Sequence, residues 1–230
     1  RILMGGPGSN SIIKHGSSAQ KDLWLPRIAA GECIVAFALT EPESGSDASR
    51  MKTTAKKSAD GWVINGVKTF ISNAQRADLL MVFACTDRAR GIDGISAFLV
   101  DPRNPGFRVA NTIPTMGVTY GGLAEIVFDN CLIAEDDLLG EEGKGFRYAL
   151  ESLNEGRLNV GATGVGMGEL ALQESVTFAK PRMAQGKPIA EFQAIRHMLA
   201  DMATDMYAAR QMLLEAAWQL EFGQASPRKC

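Results

Sequence analysis

Hydrophobic residues follow two different periods along this chain. Between residues 33 and 139, short apolar runs rich in β-branched and aromatic residues are separated by turn residues. The clearest runs read CIVAFAL, GWVINGVKTFI, LLMVFAC, ISAFLV and EIVFDNCLI. Strand-length runs with no helical pattern between them are typical of antiparallel sheets. The pattern therefore predicts an antiparallel barrel or sandwich in the middle of the chain.

Two turn signals interrupt the longest of these runs. Asn65-Gly66 lies between apolar stretches, and Asp60-Gly61 comes a few residues earlier. Asn-Gly is a strong hairpin signal because both central residues of a type I′ turn need a positive φ. We therefore predict a hairpin at Asn65-Gly66 and a second turn at Asp60-Gly61.

A helical period replaces this pattern towards the end of the chain. Apolar or small residues recur there at steps of three and four, at positions 192, 195, 199, 202, 206, 209, 213, 216 and 220. Such a seam is typical of a four-helix bundle or coiled coil. An earlier helix is predicted from about Lys144 to Ala179. Two helices cannot cover each other's seams alone, so further helices or another subunit are expected.

Composition narrows the function classes. The 230 residues are 46% hydrophobic and 22% charged, which is ordinary for a soluble globular protein, and the formal net charge is -2. That charge argues against a general nucleic-acid surface. No apolar run is long enough to span a bilayer, so no membrane partner is expected. The four cysteines are scattered and form no C-x-x-C pair, so neither a metal site nor a disulfide framework is predicted.

One glycine pattern imitates a nucleotide fingerprint. Gly166, Gly168 and Ala171 have the spacing of a relaxed dinucleotide-binding motif. That motif needs a preceding strand and a strand-to-helix turn. Here the glycines lie inside the predicted helix, so we reject a nicotinamide site and expect close packing between helices.

The segment ALTEPESGSD, residues 38–47, ends the first apolar run. Its Pro, Gly, Ser and Asp are ordinary turn residues, and a surface turn is the simplest interpretation. A ligand-binding loop has the same composition. The residues alone leave both interpretations open and predict no reaction.

A series of segments resembles the acyl-CoA dehydrogenase family. In order, these are WLPRIAAGE, AFALTEPESGSDAS, WVINGVKTFISNAQRADLLMVFA, GISAFLVD, PGFRV, EIVFDNCLI, LLGEEGKGF, LNEGR and GKPIAEFQAIRHMLADMATDMYAAR. Their order and spacing resemble the family across nearly the whole chain. The SLNEGR segment is similar to short-chain and short/branched-chain members.

The resemblance implies an α+β multidomain fold and a chain that is a fragment lacking both ends. Residues 1–32 would end an N-terminal helical domain, and residues 33–139 would form the middle antiparallel β-barrel. Residues 140–230 would supply the first helices of a C-terminal four-helix bundle. The family binds FAD and forms homotetramers or dimers.

The implied reaction is α,β-dehydrogenation of an acyl-CoA thioester to a trans-2-enoyl-CoA. A carboxylate removes the α-proton, the β-hydride passes to FAD, and electrons then go to an electron-transfer flavoprotein. Such chemistry belongs to fatty-acid β-oxidation, in the cytoplasm of a bacterium or the mitochondrial matrix of a eukaryote. Two alternatives stay open: an acyl-CoA oxidase, and a non-catalytic flavin-binding member of the same superfamily.

The resemblance also assigns roles to individual residues. Expected flavin contacts in the middle of the chain are Phe37, Leu39, Thr40, Gly45, Ser46, Phe70, Ile71 and Ser72. Those from the helical part are Arg182, which would reach the FAD of a neighbouring subunit, and Phe192 with Gln193. Ser46, Asn154 and Arg157 are expected to contact CoA.

The catalytic base is the missing part of this set. Some family members carry it immediately before the arginine that Arg157 matches, but that position is Gly156 here. Glycine has no group that can take up a proton. The catalytic glutamate is therefore expected beyond Cys230.

Overall fold

A computed structural model describes residues 2–117 and 121–222. It divides into two compact units, with the boundary between Leu153 and Asn154. We call residues 1–153 the sheet unit and residues 154–230 the helical unit.

Four α-helices lie within the described residues: α1 (Ile2–His15), α2 (Ser18–Ala30), α3 (Gly145–Ala179) and α4 (Gln193–Glu221). The described strands are β1 (Val35–Ala38), β2 (Thr54–Ser58), β3 (Gly61–Ser72), β4 (Leu79–Cys85), β5 (Ile95–Val100), β6 (Phe107–Ile113), β7 (Leu123–Ile133), β8 (Leu138–Leu139), β9 (Met183–Ala184) and β10 (Lys187–Pro188). The predicted helix from Lys144 to Ala179 is confirmed by α3.

Eight of the described strands form one sheet in the order β6-β7-β3-β2-β4-β5-β8, with β1 pairing to β4. Most neighbours are antiparallel, as predicted, but β1 pairs with β4 in parallel, and so does β2 through Thr54 and Cys85. Side chains from both ends of the strand order, Phe107 in β6 and Leu138 in β8, pack against one core. Trp62 in β3 also meets Phe98 in β5 edge-to-face, with ring centroids 5.4 Å apart. The sheet therefore curls around its own core, as the barrel prediction requires.

The opposite face of the sheet carries a second core. Alternate residues of β4 divide between the two: Leu80 and Val82 face the inner core, whereas Met81 and Phe83 face the outer one. The outer core is covered by Ile12 of α1, by α2 and by the first turns of α3. Because β4 is buried on both faces, it reads as a continuous apolar run rather than as an alternating one.

The prediction of a hairpin at Asn65-Gly66 is wrong. Strand β3 runs unbroken through both residues, and its register against β7 shifts between Ile64 and Gly66. Gly66 (φ 153°) passes so close to Thr53 that a Cβ atom there would lie 2.4 Å from the Thr53 hydroxyl oxygen. The glycine therefore marks a bulge and a close backbone approach. The turn predicted at Asp60-Gly61 is confirmed, because β2 and β3 form a hairpin in which Ser58 pairs with Gly61.

In the helical unit, α4 follows the predicted seam. Of the nine predicted seam positions, Ala216 is buried and the other eight are half-buried, whereas most other α4 side chains are exposed. Gly168 of α3 lies against Met206 of α4, and Gly161 lies against Leu213. Gly168 therefore packs between helices, as expected. Gly166 does not, because a Cβ atom at that position would meet nothing within 4 Å.

Candidate functional site

The segment after β1 is a tight loop closed by its own backbone. Glu41 N donates to Ser44 O over 3.0 Å, and Ser44 N donates back to Glu41 O over 3.1 Å. The Ser44 hydroxyl then donates to Asp47 O over 2.7 Å. Pro42 and Glu43 at the tip are exposed. The loop is therefore a turn, and its backbone has a fixed shape.

A buried ion pair lies beneath this loop. Lys68 of β3 is 0% exposed, and its Nζ donates to Glu41 Oε1 over 2.8 Å and to Leu39 O over 3.0 Å. The Glu41 carboxylate also accepts backbone N–H groups from Lys52 and Thr53. One carboxylate thus joins the loop, β3 and the segment that leads into β2.

Burial and pairing set the ionisation of both groups. Burial lowers the pKa of Lys68 to about 8, although Glu41 opposes that shift. For Glu41, burial alone would raise the pKa, but the charge of Lys68 and the hydrogen bonds it accepts lower it overall. Near neutral pH the pair is therefore charged on both sides.

Strand β3 connects this pair to the second expected flavin segment. Thr69 N donates to Thr40 O over 2.9 Å, so residues 70–72, the last three of β3, follow directly from a point bonded to the loop. Phe70 adopts a left-handed backbone (φ 56°), and its side chain is 58% exposed. A bulky residue in this region is strained, and such strain is concentrated at functional sites.

The remaining residues expected in this part of the site differ in accessibility. Leu39 and Ile71 are buried in the outer and inner cores respectively, so their backbones are the groups left to contact a ligand. Phe37 is half-buried beside Phe83. Gly45, Ser46 and Ser72 are exposed, and a Cβ atom at Gly45 would meet nothing within 4 Å. The structure therefore brings Thr40, Phe70 and their neighbours together around open space.

A charged cleft of about 510 Å³ follows the same loop. Its lining residues are Glu43, Ser49, Arg50, Lys52 and Arg88. Three cations thus surround one carboxylate, which forms an ion pair with Lys52. Arg88 donates to Met51 O over 3.4 Å, which attaches the loop after β4 to this cleft. Such a lining suits an anionic ligand.

The helical unit carries the other expected residues. Asn154 is half-buried on α3, and its side-chain oxygen accepts a hydrogen bond from the exposed Arg157 one turn later. Both side chains therefore lie on one face of α3, as their spacing requires.

Arg182, Phe192 and Gln193 lie at the turn between α3 and α4. The small β9–β10 hairpin turns through Gln185 and Gly186, both with positive φ. Ile189 N donates to Arg182 O over 2.7 Å, and Lys187 Nζ lies 4.4 Å from the centroid of the Phe192 ring. Arg182 and Gln193 are exposed. The structure thus gathers these three residues at one end of the helix pair.

Sequence reasoning missed the Lys68–Glu41 pair and the basic cleft. A signal for the pair was present, because Lys68 interrupts the apolar residues at the end of a strand. The cleft had no local signal, since Arg88 approaches Arg50 only through the pairing of β2 with β4.

Three further observations concern metal ligands, membrane-spanning helices and cysteine thiols. Among residues 2–117 and 121–222, no group of three His, Cys, Asp or Glu side chains could hold a metal ion. No described helix has the length and apolar character needed to cross a membrane. Cys33, Cys85 and Cys131 are buried free thiols, and Cys230 lies outside the described residues.

Comparison with protein families gives two matches that follow each other along the chain. Residues 36–131 match the middle domain of acyl-CoA dehydrogenase. Residues 143–230 match the C-terminal domain of acyl-CoA dehydrogenase.

Individual proteins agree with these matches. The acyl-CoA dehydrogenase of Bacillus subtilis (strain 168) is 43% identical over 210 residues, which are 91% of this chain and 55% of that protein. The butyryl-CoA dehydrogenase structure from Megasphaera elsdenii superposes with a TM-score of 0.92 at 39% identity, over 96% of this chain and 58% of that one. A structure of an FAD-dependent dehydrogenase superposes with a TM-score of 0.90 at 38% identity, over 94% of this chain and 58% of that one. The chain spans a little over half the length of these relatives.

Proposed function

The chain belongs to the acyl-CoA dehydrogenase family, and from that premise we propose that it forms part of an FAD-dependent enzyme that dehydrogenates an acyl-CoA thioester. The observation that supports this most is the junction of Thr40 and Phe70. A hydrogen bond from Thr69 to Thr40 places the loop beside a strained, exposed aromatic residue. Thr40 supplies a hydroxyl, and Phe70 supplies an apolar wall.

The residues at this junction suit a flavin. The isoalloxazine ring system needs an apolar surface and hydrogen-bond partners at its edge, which Phe70 with Thr40 and Ser72 can supply. Gly45 leaves open space next to the exposed Ser46 hydroxyl, which suits a pyrophosphate approached by backbone amides. In the helical unit, Arg182, Phe192 and Gln193 are proposed to contact an FAD bound to a neighbouring subunit. This contact implies a homo-oligomer, either a tetramer or a dimer.

FAD, when bound, would accept the hydride from the β-carbon of the substrate. This chain would orient the ring through Thr40 and Phe70, and Asn154 and Arg157 would contact CoA. The proton on the α-carbon needs a carboxylate base. Position 156 is glycine, so we propose that the base is a glutamate beyond Cys230.

The charged cleft supports an acyl-CoA substrate in particular. CoA carries phosphates, and the lining of the cleft includes Ser49 and Arg50, three and four residues after Ser46. Guanidinium groups bind phosphate well because several N–H donors lie in one plane. The likeness to a butyryl-CoA dehydrogenase favours a short acyl chain.

The first test uses the full-length protein purified with its flavin. Anaerobic titration with acyl-CoAs of graded chain length is followed by absorbance of the oxidised flavin. We expect bleaching, strongest with short chains. A protein that retains no FAD, or whose flavin is bleached by none of these thioesters, would contradict the proposed dehydrogenase.

The electron acceptor requires a separate experiment. We propose an electron-transfer flavoprotein, in keeping with the family. Turnover that depends on added electron-transfer flavoprotein and consumes no oxygen supports this acceptor. Oxygen consumption in the absence of that protein would instead identify an acyl-CoA oxidase.

The cleft is tested by Arg50→Gln. Loss of one phosphate contact is expected to raise the KM for acyl-CoA about tenfold, the equivalent of roughly 1.4 kcal/mol, with little change in kcat. Arg103→Gln is the matched control, because Arg103 is exposed but bonds to Asp101 instead of lining the cleft. An unchanged KM in Arg50→Gln would remove the cleft from the substrate site.

A further inference from the structure

Lys68 is an unusual residue to find inside a protein core. A lysine ammonium has three N–H donors, and here they face Leu39 O, Glu41 Oε1 and, at 3.9 Å, Met51 Sδ. Leu39 and Glu41 belong to the loop that follows β1. Removing an ammonium and a carboxylate from water is unfavourable, and a buried ion pair often contributes no more stability than apolar residues of the same volume. Overall stability is therefore a weak explanation for this pair.

The geometry instead indicates control over the loop. Thr40 lies between the two residues that Lys68 contacts, and its carbonyl is held separately by Thr69 N. The Glu41 carboxylate is fixed from its other side by the backbone N–H groups of Lys52 and Thr53. Residues 39–41 thus have little freedom to rotate. Just beyond Lys68 and Thr69, the same strand reaches Phe70.

We propose that Lys68 is a positioning residue for the flavin, which holds Thr40 at a fixed distance and orientation from Phe70 through its bonds to Leu39 and Glu41. This inference depends on the proposed function, since it assumes that Thr40 and Phe70 contact FAD. Lys68 is fully buried and would touch neither flavin nor substrate. It acts through the loop, and Glu41 is its counter-charge.

The test separates positioning from stability by removing both charges. Lys68→Met alone leaves the Glu41 carboxylate buried without a cation, which is expected to lower the melting temperature. The double variant Lys68→Met/Glu41→Gln removes that penalty, so its melting temperature should lie closer to wild type than that of Lys68→Met. Nevertheless, the double variant should bind FAD at least tenfold more weakly, and the bound flavin should have an altered absorption spectrum.

The matched control is Ile133→Val. Ile133 is buried in the inner core and pairs with Trp62 near the start of β3, whereas Lys68 lies towards the end of that strand. Loss of a methyl group there lowers stability modestly. Its FAD affinity and flavin spectrum should equal those of wild type.

A readout without flavin keeps the inference distinct from the proposed function. In the apo protein, amide hydrogen exchange at Thr69, whose N–H donates to Thr40 O, should be faster in the double variant than in wild type, whereas exchange in β4 and β5 should be unchanged. If wild type binds no FAD, the proposed function fails, and this exchange result alone decides whether Lys68 fixes the loop. If the double variant binds FAD within twofold of wild type with the same spectrum, Lys68 is not a positioning residue.

Discussion

In the sheet unit, Phe83 and Phe98 are each 0% exposed, whereas in the helical unit Tyr207 is 70% exposed and Trp218 is 50% exposed. The sheet unit has two cores, one inside the curled sheet and one between the sheet and its helices. The helical unit has one seam between α3 and α4, and its other faces retain large apolar side chains. The sheet unit therefore contains the contacts that fix its fold and its candidate flavin loop. The helical unit depends more on whatever covers those outer faces.

The largest expected effect contrasts one aromatic residue from each unit. Phe98→Ala opens a cavity in the inner core and removes the edge-to-face contact with Trp62, so it should lower the free energy of unfolding by about 3–5 kcal/mol. Trp218→Ala in the same 230-residue chain should change it by about 0.5 kcal/mol or less. Urea unfolding of both variants measures the difference.

Repeating Trp218→Ala in the full-length protein sharpens the contrast. A much larger loss of stability there would show that Trp218 becomes covered in the longer protein. Equal losses for Phe98→Ala and Trp218→Ala in the 230-residue chain would contradict the comparison.

Ion pairs provide the next contrast. Glu41→Gln leaves Lys68 buried without its counter-charge and should cost about 3 kcal/mol near neutral pH. Glu169→Gln is the matched change in the helical unit, where Glu169 pairs with Arg210 over 2.7 Å at the surface. That exposed pair should contribute about 1 kcal/mol or less, and less still at high salt.

The stability difference between wild type and Glu41→Gln should depend on pH with a definite sign. The pKa of Glu41 is lower in the fold than its ordinary value of 4.5, so its contribution to stability is present above that value and is lost as the pH falls through the folded value. The difference in melting temperature between wild type and Glu41→Gln should therefore shrink in acid. Lys68 acts in the opposite range: its folded pKa of about 8 lies below 10.5, so raising the pH between these values favours folding. If the difference in melting temperature between wild type and Glu41→Gln grew in acid, a charged Glu41 would be excluded.

These contrasts indicate what the sequence can and cannot predict. The α4 seam was predictable because one helical period places its residues on one face, whatever lies around it. The strands were predictable because short apolar runs separated by turn residues are a local pattern, but the bulge at Gly66 was not. Asn65-Gly66 has the residues of a tight turn, and only the nearby Thr53 backbone explains why a glycine is needed inside a strand.

The candidate site likewise contains parts that the sequence predicts and parts that it does not. Thr40 and Phe70 could be assigned from family resemblance, because each lies in a short motif. The parts that hold them are long-range: Glu41 and Lys68 are 27 positions apart, and Arg50 and Arg88 line one cleft from distant parts of the chain. Local propensity carries no information on such pairings. The strain at Phe70 is likewise a property of the folded strand.

The smallest stability effects come from two glycines. Gly66→Ala adds a methyl group against Thr53 at a left-handed φ and should destabilise the chain by more than about 1 kcal/mol. Gly166→Ala adds one to an open position inside α3 and should stabilise it by up to about 1 kcal/mol, because alanine favours helix more than glycine does. The melting temperature should therefore fall in Gly66→Ala and rise in Gly166→Ala. A shift of the same sign in both would contradict the assignment of Gly66 as a close backbone approach and Gly166 as open.

The central claim, that the loop after β1 holds a flavin, is tested most directly by FAD binding to Gly45→Leu in the full-length protein. Apart from Gly45 and its two chain neighbours, no described residue has an atom within 4 Å of the position that a Cβ at Gly45 would take, so the melting temperature of the apo variant should equal that of wild type. Fluorescence titration should nevertheless show at least tenfold weaker FAD binding, because the new side chain occupies space assigned to the cofactor. Unchanged FAD affinity in a normally folded Gly45→Leu protein would show that the flavin does not lie against this loop.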